Sequence, residues 1–341
     1  MLGTNGHLSV SVATITGQPV AALAPGVLPS IMFSRESEEV SRCEFQILNE
    51  NEDTFVDLVP WYHWATVWDG DEPVWRGTLQ AVRIGRHLTA VSCRDVSTFC
   101  WRTRVPLSKT WREVDPSGIA ADLYTQMLAM HKVNVTPVVR PDVMADTFTI
   151  STAVDSRMMN QSMDELTKLG LKWTVVAGTP VFGPMLATPI ASIDERDILD
   201  DIEIIRDGTN TFNDVRVQGK NFTSTYREKL GDLNLQTLVS MDDVFGVSNI
   251  EKATQQYARQ VSQIKDQLVV PPGASLSLDT EITMDQLVPG NRFVIYARGL
   301  ATMMVLTQVE VNSTPGSFAV NVTLETIIDH AELDSKTGTT T

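Results

Sequence analysis

The sequence predicts a mainly β protein with an α/β insertion: two all-β domains, an α/β domain inserted between them, and one long helix. Three observations predict it. Apolar and polar residues alternate near both ends, at Thr78–Ile84, His87–Cys93, Met304–Asn312 and Ser317–Glu325, and a period of two marks strands with one buried face. In the middle of the chain capped amphipathic helices replace the alternation. At 341 residues the chain also exceeds the size at which a single core usually stops growing, so domains are expected over 1–108, 109–190 and 191–341.

Taken in order, Leu8–Ile15, Ile31–Ser34, Cys43–Leu48 and Tyr62–Trp68 read as short strands separated by Pro, Gly and charged stretches. A hairpin bearing Asp69-Gly70 and Gly77 follows, and these strands suggest a small antiparallel sheet or barrel that ends near Arg104. Pro116 opens a helix with Ile119, Leu123 and Met127 on one face. Ser162-Met163-Asp164-Glu165 has the form of a capping box and Gly170 that of a left-handed C-terminal cap, which predicts a second, short helix. Leu171, Trp173 and Val175 then alternate into a hairpin that turns at Gly178-Thr179-Pro180 and returns through Val181 and Phe182, so residues 111–185 form a compact α/β unit.

Strand signals return with Val215 and Val217 before Gly219. The long helix is expected near 249–265, with Ser248-Asn249-Ile250-Glu251 as its capping box, an apolar row of Ile250, Tyr257, Val261 and Ile264, and Pro271-Pro272-Gly273 barring continuation. Four strands follow near Ser275–Ile282, Phe293–Ala297, Met303–Val311 and Phe318–Leu324, with Leu287-Val288-Pro289-Gly290 as a turn. Val305, Val309, Val320 and Val322 are the candidate core of this second all-β domain. The polar tail Ser335–Thr341 is expected to fray.

Composition excludes several function classes. The hydrophobic share of 43% and charged share of 20% are those of a folded globular chain. A net charge of −15 without a basic stripe removes the phosphate neutralisation on which stable nucleic-acid binding depends. No apolar run is long enough for a membrane span, and no N-terminal signal pattern is present. Cys43, Cys93 and Cys100 lack zinc or redox spacing and read as buried thiols. The five histidines form no HExxH arrangement, no Gly-rich phosphate loop follows a strand, and no GxSxG elbow presents a serine. Asp69, Asp71 and Glu72 do not continue into a calcium loop and read as an acidic hairpin turn. The acidic run from Asp194 to Asp207 reads as a solvated face. No metal, cofactor or catalytic residue is expected, and the protein is expected not to be an enzyme.

Six of the seven tryptophans, Trp61, Trp64, Trp68, Trp75, Trp101 and Trp111, fall between positions 61 and 111. On a strand Tyr62, Trp64 and Trp68 share one face, and Trp61, His63, Ala65 and Val67 the other, so neither face looks solvated. The expectation is core plus interface, with Trp64, Trp68, Tyr62 and Trp75 as interface candidates. The alternative is a cell-wall carbohydrate-binding module in which the cluster stacks on sugars.

Trp75-Arg76-Gly77 leading into a strand, Val91-Ser92-Cys93-Arg94-Asp95 and Arg102 resemble the first hub domain of long-tailed phage minor tail proteins. Asp164-Glu165-Leu166-Thr167-Lys168-Leu169-Gly170-Leu171-Lys172-Trp173 resembles the family's helix-to-hairpin segment. Asn213-Asp214-Val215-Arg216-Val217-Gln218-Gly219 is similar to the strand that re-enters the second barrel, and Leu287–Gly290 to a late turn. The likeness runs in order from about residue 5 to 328. It implies a tail-tip or baseplate hub, similar in fold to the contractile-tail hub and the base of the type VI secretion spike. Such hubs are homotrimers whose paired barrels adapt a sixfold tail tube to a threefold tip around a DNA channel. The implied partners are the distal tail protein, the tape measure protein and tip or fibre proteins, and the implied location is the virion tail, assembled in the host cytoplasm.

Overall fold

The computed structural model describes residues 8–24, 27–49, 57–140, 146–185, 188–241, 247–262, 264–269, 275–297 and 300–327. The first region is all strand: β1 (Leu8–Thr14), β2 (Pro19–Leu23), β3 (Ser30–Glu36), β4 (Arg42–Leu48), β5 (His63–Asp69), β6 (Glu72–Ile84) and β7 (Leu88–Arg94). The middle carries β8 (Lys109–Val114), α1 (Pro116–Met130), β9 (Val138–Val139), β10 (Phe148–Thr152), α2 (Met159–Lys168), β11 (Trp173–Val176) and β12 (Thr179–Phe182). The last region runs through β13 (Ala191–Asp194), β14 (Glu203–Asp207), β15 (Asp214–Gly219), β16 (Thr223–Arg227), β17 (Gln236–Met241), α3 (Val247–Val261), β18 (Lys265–Val269), β19 (Arg292–Ala297), β20 (Leu300–Thr314) and β21 (Ser317–Thr326). The predicted class, mainly β with an α/β insertion, is the one observed.

The strands of the first region and all of the last except β15, β16 and β17 share one sheet, in the order β14-β18-β21-β20-β3-β4-β7-β6-β5-β1-β2, with β13 and β19 branching from β20. The seam is the antiparallel pairing of β3 with β20, from Glu36 opposite Gln308 to Ile31 opposite Ser313. One apolar core lies behind it, to which Val10, Val67 and Leu79 contribute from the first region and Ile295, Val309 and Leu324 from the last. Across the seam sits a buried cation. A bulge where Val67 faces Trp75 but Trp68 faces Pro73 leaves Val74 as the extra residue. Its freed carbonyl accepts from Arg35 Nε at 3.1 Å and Nη2 at 2.7 Å, while Arg35 Nη1 donates to Met284 O and Leu287 O at 2.7 Å each.

The second core contains the helices. It gathers α1 and α2, the paired strands β8 and β10, and the β11–β12 hairpin, but also Val215, Val217, Val239, Met241, Ile250 and Ala253. The strand expected to re-enter the second barrel, Asn213–Gly219, is therefore β15 of a separate three-stranded sheet, β16-β15-β17. Its alternate residues Val215 and Val217 face α3 and the inserted helices, so burial against them outweighs pairing with the large sheet.

Several local expectations are corrected. Ser162 does not cap α2, which starts a turn earlier after Met158, whose N–H donates to Gln161 Oε1 at 3.1 Å. Ser162 and Glu165 instead both receive Arg157, through Nε at 2.9 Å and a short ion pair respectively. The C-terminal end behaves as expected: Gly170 has φ +100°, and the Leu171 N–H reaches Leu166 O at 3.0 Å. The β11–β12 turn is Ala177-Gly178, both at positive φ, so Thr179 and Pro180 already belong to the return strand.

α3 begins at Val247 and stops at Val261, where the Phe212 N–H takes its carbonyl at 2.8 Å. Ser248–Glu251 therefore lies inside the first turn, and Ile264 falls outside the helix. Ser275–Ile282 is a series of turns with a single bridge from Leu276 to Ile198. Val309, Val320 and Val322 are core, but Val305 is only half-buried. A bulge between Leu306 and Gln308 reverses the phase of β20, so Met304 and Leu306 point inward before it and Val309 and Val311 after it. Part of the acidic run, Glu203–Asp207, is strand β14. Pro271-Pro272-Gly273 and the Ser335–Thr341 tail lie outside the described residues. Among the described residues no helix is long and apolar enough to cross a membrane.

Candidate functional site

The tryptophans disperse rather than form one platform. Trp75, 3% exposed, belongs to the first core. Trp64, 2% exposed, leaves β5 toward the second core, where it stacks on Phe99 at 6.2 Å under the Arg76 guanidinium at 5.6 Å. Both were interface candidates, and both are buried within their own chain, because the junction of the two cores needs large apolar side chains at these positions. Trp111 is buried and donates from Nε1 to Asp122 Oδ2 at 2.8 Å. Trp68 is half-buried and donates from Nε1 to Ser11 Oγ at 2.7 Å. Of the four candidates Tyr62 is the outward one, 55% exposed.

Gly77 explains why Trp75-Arg76-Gly77 takes that form. A Cβ at Gly77 would lie 2.1 Å from Arg94 O and 2.5 Å from the Trp75 ring. Only glycine lets β6 and β7 close over the tryptophan.

Trp61 sits apart from the strand, in the turn before β5, with φ +66°, a conformation rare for a bulky residue. Backbone hydrogen bonds on either side fix it: Trp61 N–H to Leu79 O at 2.7 Å, Ile15 N–H to Tyr62 O at 3.0 Å and His63 N–H to Val59 O at 3.0 Å. Its ring is tilted against Phe99 at 5.6 Å, and His131, at the C-terminal end of α1, stacks on the same Phe99 at 4.4 Å. The Arg102 guanidinium lies 5.8 Å over Trp61. With Ile15 these four side chains line an open cleft of about 600 Å³. Neither Arg102 nor His131 attracts notice in the sequence as a partner of Trp61, because the three come from separate elements.

Burial pushes the Cys100 thiol up to about 12 and keeps Cys43 and Cys93 protonated, which disfavours the thiolate, the nucleophilic form, at all three. Asp95 is buried, and burial pushes its carboxyl up to about 6 against the opposing hydrogen bonds from Ser97 and Ser41. That carboxyl accepts from Ser41 N–H at 2.8 Å and Ser97 N–H at 2.9 Å, which ties the β3–β4 turn to the 3₁₀ helix at Val96–Trp101. Among the described residues no group of three or more His, Cys, Asp or Glu could hold a metal ion.

No protein-family model matches the sequence. No curated protein matches it either. Solved structures do. A tail protein from Neisseria meningitidis aligns at TM-score 0.64 and 15% identity, over 93% of this chain and 96% of that one. The 43 kDa tail protein of prophage MuSo2 from Shewanella oneidensis aligns at 0.62 and 12% identity, over 94% and 98%. Prophage tail protein gp18 from Listeria monocytogenes aligns at 0.60 and 11% identity, over 96% and 97%. At such identities the likeness lies in the arrangement of elements and runs nearly end to end: this chain has the fold of the phage tail proteins.

Proposed function

We propose that the protein is a structural, non-enzymatic component of a phage tail tip or baseplate. In this reading three copies form a hub ring that adapts a sixfold tube to a threefold tip and leaves a channel for DNA. The observation that carries it is the end-to-end correspondence with three phage tail proteins, each covered over at least 96% of its own length. A partial match would fit a domain borrowed for another purpose; a whole-chain match favours the same architectural role.

The sheet gives the ring a physical rationale. Among the described residues β2 and β14 each pair on one side only. Exposed strand edges invite pairing with another chain, and joining edges between copies would extend the sheet around an axis. The net charge of −15 suits a conduit, since an acidic lumen repels passing DNA. Tyr62 and Trp68 are the aromatic candidates for contact between copies. The same reading keeps 1–108 and 191–341 as the two hub domains and 109–190 as the insertion, with β15–β17 and α3 packed on the latter. Its partners are the distal tail protein, the tape measure protein and tip or fibre proteins.

Gold-tagged antibody against the chain, applied to particles from the source and viewed by electron microscopy, tests the placement. Label at the tail tip is expected; label on heads, or on free protein alone, overturns the proposal.

A further inference from the structure

We propose that the cleft formed by Ile15, Trp61, Phe99, Arg102 and His131 is a saccharide-binding site, selective for a pyranose ring with free hydroxyls. The proposal is independent of the hub assignment and uses none of the residues assigned to contacts between copies.

Its chemistry follows from the hydrogen bonds around His131. Thr103 Oγ1 lies 2.8 Å from Phe99 O and 2.6 Å from His131 Nε2. A hydroxyl has one proton, and Thr103 gives it to the carbonyl, so at His131 it accepts, and the ring carries its proton on Nε2. Burial pulls the His131 imidazole below its ordinary value, which keeps it neutral near pH 7. Nδ1 is therefore a bare acceptor, and among the described residues it has no hydrogen-bond partner. Arg102 is exposed, and its guanidinium makes no hydrogen bond among the described residues and lies over the Trp61 face.

The cleft thus offers aromatic walls, one fixed acceptor and one fork of donors. A ligand that satisfies all three needs an apolar face, a donor and an acceptor on one compact ring. A pyranose meets this: its C–H face packs on an aromatic ring while each rim hydroxyl can both donate to Nδ1 and accept from the guanidinium. An aromatic or proline side chain of a partner would fill the walls and leave both polar groups unmatched. The volume, about 600 Å³, is within the range of small-ligand sites. The backbone supports the assignment, since a tryptophan held at φ +66° is a local strain of the kind found at ligand clamps.

Tryptophan fluorescence of the full chain, titrated separately with chitotetraose, maltotetraose and a proline-rich peptide, tests the site. A saturable change with at least one oligosaccharide is expected, with Kd on the order of 1 mM or tighter. Arg102→Ala and Trp61→Gly should each weaken it about tenfold or more, glycine being free to adopt the positive φ. Trp101→Ala, on an exposed side chain outside the cleft, should leave it unchanged. Circular dichroism confirms that each variant is folded, and Arg102→Ala alone decides the case if Trp61→Gly is not. Absence of saturation with both oligosaccharides, saturation with the peptide alone, or sugar binding indifferent to Arg102→Ala overturns the proposal.

Discussion

Removing the Arg35 side chain should unlock the two halves of the large sheet from each other. Arg35 is 4% exposed, and among the described residues no carboxylate pairs with it. Burial pushes its guanidinium down to about 10, with the more distant Asp285 and Asp69 carboxylates pulling the other way. A drop of between two and three powers of ten, at about 1.4 kcal/mol each, makes the buried charge cost roughly 3 kcal/mol. Against this stand its four donations, two to Val74 and one each to Met284 and Leu287, about 1.5 kcal/mol or more each for a charged donor, roughly 6 kcal/mol together. The difference, about 3 kcal/mol, is what Arg35→Ala should lose, and the space left by the alkyl stem adds to it.

Arg35→Lys should recover only part. One ammonium is a point charge and cannot fork toward the Val74 carbonyl on one side and the Met284 and Leu287 carbonyls on the other. The assay is urea unfolding, supported by thermal unfolding, in which about 3 kcal/mol corresponds to a Tm lower by roughly 4 °C for a chain of this length. If Arg35→Ala unfolds within about 0.5 kcal/mol of the native chain, the carbonyls are satisfied without the guanidinium and the clamp argument is wrong.

Other consequences are testable in the same way. Because the Asp95 carboxyl sits at about 6 in the folded chain, above its unfolded value, the folded form takes up the proton first. Its stabilising contribution is full below about pH 4 and lost as pH rises through 6, a change of roughly 3 kcal/mol; the unfolding free energy of Asp95→Asn should lack this part of the slope. Gly77→Ala must separate β6 from the Arg94 carbonyl and should cost 2 kcal/mol or more, on the order of a core defect, read as a lower urea midpoint. Gly316→Ala, whose Cβ meets nothing within 4 Å, should cost only the local strain of a positive φ, about 1 kcal/mol.

What the sequence disclosed was local. The alternation of Phe318, Val320, Val322 and Leu324 placed β21 correctly, because that face packs on the core, with Phe318 half-buried and the other three buried. The β11–β12 hairpin and the Gly170 cap were legible because each rests on a few adjacent residues. Pairings between distant segments were not. Nothing in Ile31–Glu36 or Gln308–Ser313 marks them as partners, and Val305 was assigned to the wrong face because a bulge has no composition of its own. Ser162 and Glu165 fit a capping box by spacing, yet Arg157 claims both. Tryptophans close in sequence looked like one cluster, whereas alternate strand faces and a turn send them into two cores and a cleft. That cleft was invisible for the same reason, since Trp61, Arg102 and His131 meet only in the folded chain.

The central claim is a threefold ring at the tail tip, and cryo-electron microscopy of the tip in intact particles measures it most directly. The account predicts three copies of this chain around an open axial channel, with the sheet edges β2 and β14 directed toward neighbouring copies. A single copy per tip, six copies stacked as tube, or a density without a channel would contradict it.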